Sequence, residues 1–286
     1  MLKESLPAPV VSALRLTRQI AYICLQPLDY VARIINGKTD FPPIHLRRYV
    51  GPLRTFESSG AEFMAYLQLL CKLQPSESVL DIGCGCGLMA LHLANYLGAE
   101  GRYTGVDIHR PSISWCRSHI SAKYPNFTFA LMDVRSRAYN PRGRYFAEDY
   151  SFEFEERKFD LVVLKSVFTH MRPAEVDNYI GEVSRLLSDD GRCLMTFFLL
   201  NGGQADLAGK SLNRLDFKHG EGAWRYVYLN SPESAIAFDE RHVLELLRSH
   251  NLELIKPVLY GTWAGRVDGL SYQDMLLVRK RQTVSS

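Results

Sequence analysis

V-L-D-I-G-C-G-C-G, Val79 to Gly87, is the stretch that decides how this chain folds. Apolar and β-branched residues run into an acidic one, three glycines follow at alternate positions, and a helical pattern starts at once. Such a run reads as a buried strand, a tight turn and a helix N-terminus. Glycine allows positive φ and a close approach of backbone to ligand, because no Cβ stands in the way. The helix that follows offers unpaired N–H groups to whatever occupies the turn. Asp81 adds a carboxylate at the strand end, which suits a cationic ligand. Three glycines in five residues carry an entropic cost that an ordinary turn does not need.

Outward from the motif, strand-like and helix-like stretches alternate. Strands are predicted near 78–82, 102–107, 127–131, 159–165 and 192–199, and helices near 59–73, 87–97, 111–123, 173–187 and 239–250. The first of these helices ends before Pro75. This alternation argues for a parallel sheet covered by helices on both faces. The end of the chain departs from it. Leu252–Tyr260 and Asp274–Arg279 read as two strands with no helix between them, expected to pair as an antiparallel hairpin at the sheet edge. Gly85, Gly87 and Ala90 also satisfy the dinucleotide fingerprint G-x-G-x-x-G/A, so a nicotinamide-binding fold is the competing reading.

The glycine motif resembles the first motif of the class I S-adenosylmethionine (SAM)-dependent methyltransferases. With Y-N-P-R-G (Tyr139–Gly143), S-V-F-T-H-M (Ser166–Met171), G-T-W-A-G-R (Gly261–Arg266) and S-Y-Q-D (Ser271–Asp274), the chain from about Pro42 onward resembles a bacterial, stand-alone branch of that family, mostly assigned to small molecules. The resemblance implies a Rossmann-like α/β fold: a seven-stranded, mostly parallel sheet with an antiparallel C-terminal strand. An N-terminal helical extension over 1–55 is expected to precede a methyltransferase domain over 56–286, with cap insertions near 135–158 and 201–238. It implies SAM as cofactor and methyl transfer to the oxygen or nitrogen of a natural product, sugar or lipid-like metabolite. A nicotinamide oxidoreductase and a non-catalytic SAM-binding subunit are the alternatives. The reversed last strand speaks against the first of these.

A SAM pocket needs a turn against the methionine part, a carboxylate for the ribose, a polar contact for adenine and a wall beside the methyl group. Asp81, Gly83, Cys84, Gly85 and Gly87 are the candidates for the turn, although Cys84 and Cys86 also read as small packing residues. Asp107 in Y-T-G-V-D-I, followed by Ile108, stands where one carboxylate accepts from both ribose hydroxyls. Asp133 and Val134 in F-A-L-M-D-V match the family's adenine contacts. Ser166 and His170 follow the fourth strand, where open α/β sheets bind ligands. An imidazole there can take a proton from an acceptor, making His170 the candidate general base. Its competing role is to pack or to position the methionine part, since methyl transfer often needs only alignment. Trp224, Tyr226 and Tyr228 are candidates to close over the acceptor.

Bulk properties bound the rest. The 286 residues are 47% hydrophobic with a net charge of +3, enough for a core and indifferent on nucleic acid. No N-P-P-Y-like signature follows the fourth strand, so nucleobase methylation is not expected. Arg135, Arg137, Arg142 and Arg144 form a basic cluster that reads as a solvated loop before a phosphate site. Six scattered cysteines show neither a disulfide framework nor a C-x-x-C pair, so a reduced, cytoplasmic protein without a metal is expected. Val10, Val11, Leu14, Ile20, Ile23 and Leu25 can share one helical face. Docking of that face on the domain is expected ahead of peripheral membrane contact, and a homodimer is possible.

Overall fold

The computed structural model describes residues 17, 20–203 and 215–282. Its centre is a seven-stranded sheet in the order β3-β2-β1-β4-β5-β10-β9. Strands β1 (Ser78–Ile82), β2 (Arg102–Asp107), β3 (Phe127–Leu131), β4 (Phe159–Leu164) and β5 (Leu187–Phe197) run parallel. Strand β10 (Asp274–Lys280) runs antiparallel to both β5 and β9 (Leu252–Leu254). The expected terminal hairpin therefore forms, its two strands pairing antiparallel at the sheet edge. Its second strand inserts beside β5, Val278 opposite Cys193, and the first becomes the edge. The reason is apolar character: β10 buries Met275, Leu276, Leu277 and Val278 on both faces, whereas β9 buries only Leu252.

Two-residue periodicity sorts the core into two layers. Leu80, Ile82, Val162, Leu164 and Met195 face the helices Pro173–Leu186 and Glu240–Ser249, through Val176, Ile180, Val183 and Val243. Val79, Leu161, Val163 and Leu194 face the helices Phe56–Leu69 and Leu88–Leu93, through Phe63, Leu67 and Leu93. Asp81 shares the face of Val79, and so its carboxylate is carried inward.

Within the connection after β5, read from sequence as one long loop, the described residues hold a second, three-stranded sheet. It is built from β6 (Leu199–Leu200), β8 (Ile236–Asp239) and β7 (Trp224–Tyr226), in that order. The G-T-W-A-G-R and S-Y-Q-D motifs form a knot under it. Asp274, fully buried, accepts from the backbone N–H groups of Leu199 (2.7 Å) and Gly261 (2.8 Å) and from the Trp263 indole (2.7 Å). Three donors to one carboxylate satisfy a buried charge that otherwise carries a large desolvation cost.

At the other end, residues 20–24 and the helix Gln26–Ile35 lie against the domain with the amphipathicity reversed from expectation. Tyr22, Gln26, Asp29 and Arg33 point inward. Asp29 pairs with Arg33 (3.1 Å) and Arg47, and Gln26 meets His45 (2.9 Å). Ile20, Ile23 and Leu25 point outward, at 52%, 49% and 43% exposure. Polar partners on the segment 44–48 captured the polar stripe, so the docked face is not the apolar one. Val10, Val11 and Leu14 lie outside the described residues.

Candidate active site

At the carboxyl ends of the parallel strands lies a cavity of about 750 Å³, bordered by the glycine turn, the ends of β2 and β4, the loop after β3 and residues 233–235. Small-molecule sites span about 300–1,000 Å³. The turn itself is made by Gly83, Gly85 and Gly87 at φ 79°, 56° and 82°. Crowding comes from the protein's own side chains. A Cβ on Gly83 would lie 2.6 Å from Val167 Cγ2, one on Gly85 2.2 Å from Val50 Cγ1, and one on Gly87 2.5 Å from Ile120 Cδ1. Gly83, Cys84 and Gly85 line the cavity, while Gly87 turns into the core.

Asp107 holds this turn. One carboxylate oxygen accepts from Gly85 N and the other from His109 N, both at 2.7 Å. Each oxygen keeps a lone pair, and both Asp107 and Ile108 line the cavity. Burial raises the Asp107 pKa, opposed by N–H groups of His109, Gly85 and Ile108. Asp81 sits behind the turn, fully buried and outside the lining. Its Oδ2 accepts from the Tyr103 hydroxyl at 2.6 Å, and its Oδ1 has no partner. Burial pushes its pKa up to about 7; Asp107 adds to the rise, and Tyr103 and Lys165 oppose it. Lys165, on the cavity wall, donates to Ser59 Oγ (2.7 Å) and lies 4.2 Å from the Phe63 ring centre. Burial lowers its pKa to about 8, against the pull of Glu62 and Asp81.

The far wall follows β4. Ser166 takes positive φ (57°), a strained setting for a residue with a Cβ, and three bonds hold it there. Its N–H donates to Thr196 Oγ1 (2.8 Å), and both hydroxyls donate to Gln273 Oε1 (2.8 and 2.7 Å). His170 lies beside it in the lining, its Nδ1 2.8 Å from the Glu233 carbonyl oxygen. A carbonyl only accepts, so Nδ1 carries the proton and a neutral ring presents Nε2 as a lone pair. Burial lowers the His170 pKa, with the Glu233 bond opposing, which keeps the ring neutral near pH 7.

Val134 lines the cavity, but Asp133 is exposed outside it, 3.3 Å from the Asn140 amide, within a turn that Asn140 also ties to the Val134 carbonyl (3.0 Å). Trp224, Tyr226 and Tyr228 do not reach the lining. Trp224 and Tyr226 pack on the core from β7, and Glu233, Ser234 and Ala235 border the cavity instead. Of the basic cluster, Arg135 and Arg137 reach the rim; Arg142 and Arg144 do not. Tyr49, Lys165, Thr169 and Gln273 were not singled out from sequence. Thr169 and Gln273 stood in quoted motifs, S-V-F-T-H-M and S-Y-Q-D. Among the described residues, no three His, Cys, Asp or Glu side chains are arranged to hold a metal.

Residues 79–191 match the model of the methyltransferase domain family. Over these residues the chain carries a methyltransferase domain. The ribosomal protein L11 methyltransferase of Burkholderia mallei is 39% identical over 61 residues, which is 21% of this chain and 20% of that protein. The arsenite methyltransferase of Aquipseudomonas alcaligenes is 29% identical over 113 residues, 40% of this chain and 30% of that protein. The chain thus spans less than a third of the length of these two relatives. The 1,6-didemethyltoxoflavin-N1-methyltransferase of Burkholderia thailandensis, solved with S-adenosylhomocysteine bound, shares the fold at TM-score 0.51 and 16% identity, over 92% of this chain and 91% of that one.

The group such a domain holds is SAM, and the residues fit it. Asp107 has lone pairs for a diol, the glycine turn leaves the wall open, and Asp81 keeps an orphaned carboxylate oxygen behind the turn for a cationic group.

Proposed function

We propose that this protein transfers a methyl group from SAM to an oxygen or nitrogen of a small organic acceptor. Bound SAM supplies an electrophilic methyl on its sulfonium. Asp107 holds the ribose hydroxyls, and Asp81 offsets positive charge behind the turn. The strained Ser166 and its Thr196–Gln273 partners fix the floor on which the acceptor rests. His170, neutral and with Nε2 free, takes the acceptor proton as the methyl arrives. The dry walls of Met132, Val167 and Phe198 restrict water, so the residues' main contribution is alignment. The cavity of about 750 Å³ is of small-molecule size, which supports a small organic acceptor.

One observation carries the proposal: Asp107 and an imidazole with a free Nε2 border the same cavity of about 750 Å³. Calorimetry should show S-adenosylhomocysteine binding in the micromolar range, about −8 kcal/mol, and no comparable binding of NADH. Isotopically labelled SAM incubated with host metabolite extract should then label a low-molecular-weight compound. Preferential NADH binding would return the oxidoreductase reading. Tight cofactor binding with no labelled product from any fraction would favour the non-catalytic one.

A further inference from the structure

From residue 20 to residue 36 no outward-facing side chain is charged. Asp29 and Arg33, the two charged residues of this segment, are turned inward and paired. The outward positions Ile20, Ile23, Leu28, Val31, Ile34 and Ile35 are each between 49% and 77% exposed. Leu28, Val31, Ile34 and Ile35, at spacings of three and four residues, draw one stripe along the helix Gln26–Ile35, and Ile20 and Ile23 lie on the turn before it. With Leu25 and Tyr30 beside them, they leave on the order of 800 Å² of apolar surface open, against about 300–600 Å² for the largest patch of a typical monomer. A standard interface takes about 800 Å² from each partner.

We infer that this stripe is a dimer interface, covered by the same stripe of a second copy of this chain. The charge pattern selects that occupant. An interfacial membrane helix sets Lys and Arg along its polar face to meet headgroups. Here the polar face is consumed by the protein itself: Asp29 by Arg33 and Arg47, Gln26 by His45, and the Arg33 guanidinium by the Phe41 carbonyl at 2.6 Å. What remains outward is an uncharged seam, which is self-complementary by nature, since residue i of one copy meets residue j of the other and the reverse. Two like seams bury area without bringing like charges together.

The experiment is sedimentation equilibrium of the full chain across low to high micromolar concentration, for the wild type, Leu28→Asp and Val31→Asp. The wild type is expected to be a dimer. Each aspartate should raise the dimer dissociation constant at least about thirtyfold, as expected for a buried central position, with near-ultraviolet circular dichroism unchanged. Val31→Ile should remain dimeric. A second measurement needs no variant. Cys24 is the one exposed cysteine among the described residues and lies on this helical segment, so its alkylation by a maleimide should slow as protein concentration rises. A wild type that stays monomeric at tens of micromolar overturns the inference, as does a dimer that survives both aspartates, or Cys24 labelling independent of concentration. Flotation of a monomeric wild type with vesicles of phosphatidylglycerol and phosphatidylcholine would assign the stripe to a lipid surface instead.

Discussion

Replacing Asp81 with asparagine should stabilise the ligand-free protein and weaken its cofactor binding at the same time. The carboxylate is fully buried, with one bond from Tyr103 and one orphaned oxygen, and its pKa stands at about 7 against 3.8 for the ordinary group. A folded-state pKa above the unfolded one means that the folded protein holds a proton the unfolded chain has released. The associated stability is complete below about pH 3.8 and is lost as pH rises through 7. At about 1.4 kcal/mol per unit, the three-unit difference corresponds to about 4 kcal/mol lost by pH 8, of which less than half is lost at pH 5. Asparagine carries no such term. Its oxygen keeps the Tyr103 bond, and its amide at the orphan position costs about 1–3 kcal/mol. Urea denaturation from pH 5 to 8 should therefore show the variant gaining about 2–3 kcal/mol on the wild type across that range. Calorimetry at pH 7.5 should show S-adenosylhomocysteine bound at least about tenfold more weakly, for want of the charged acceptor. Parallel stability curves for the two proteins would refute the burial argument. Unchanged affinity would remove Asp81 from the site.

Three other outcomes follow from the geometry. His170→Ala should lower kcat about a hundredfold or more with cofactor affinity within twofold, and the wild-type rate should hold through neutral pH and fall only below the ordinary imidazole range, because burial lowers this pKa. A loss under fivefold assigns His170 to packing. Gly85→Ala should destabilise by at least about 1–2 kcal/mol from its positive φ alone, with added cost from Val50, so Gly85→Ala/Val50→Ala should recover part of the loss in urea midpoint. Tyr226→Ala should lower the melting temperature by several degrees and leave acceptor KM unchanged, since this ring packs on the core and stacks 5.6 Å from His219; a raised KM with unchanged Tm would restore it to the acceptor site.

Much of the fold was legible because its signals are local. β1, β2 and β3 stand where the apolar runs and the glycines put them, since a short run bounded by turn residues is already a buried strand. That the glycine turn, Asp107, Ser166 and His170 border one cavity was legible for the same reason: open α/β sheets form their crevice at the strand ends. Residues that act through distant partners were not. Asp274 is an aspartate in a loop motif until Leu199, Gly261 and Trp263 converge on it, and Gln273 acquires meaning only beside Ser166 and Thr196. Asp133 carried the right motif, yet its turn faces it outward.

Period and composition alone established a parallel sheet, its covering helices and a reversed C-terminal strand, because each needs only the residues of its own segment. The tertiary structure decided which of the two last strands lies inside the sheet, which aromatics pack on the core, and which face of the first described helix is outward. A helical pattern shows that a polar and an apolar face exist. Which one docks depends on the neighbour, and here Arg47 and His45, met only after the chain turns back, took the polar one.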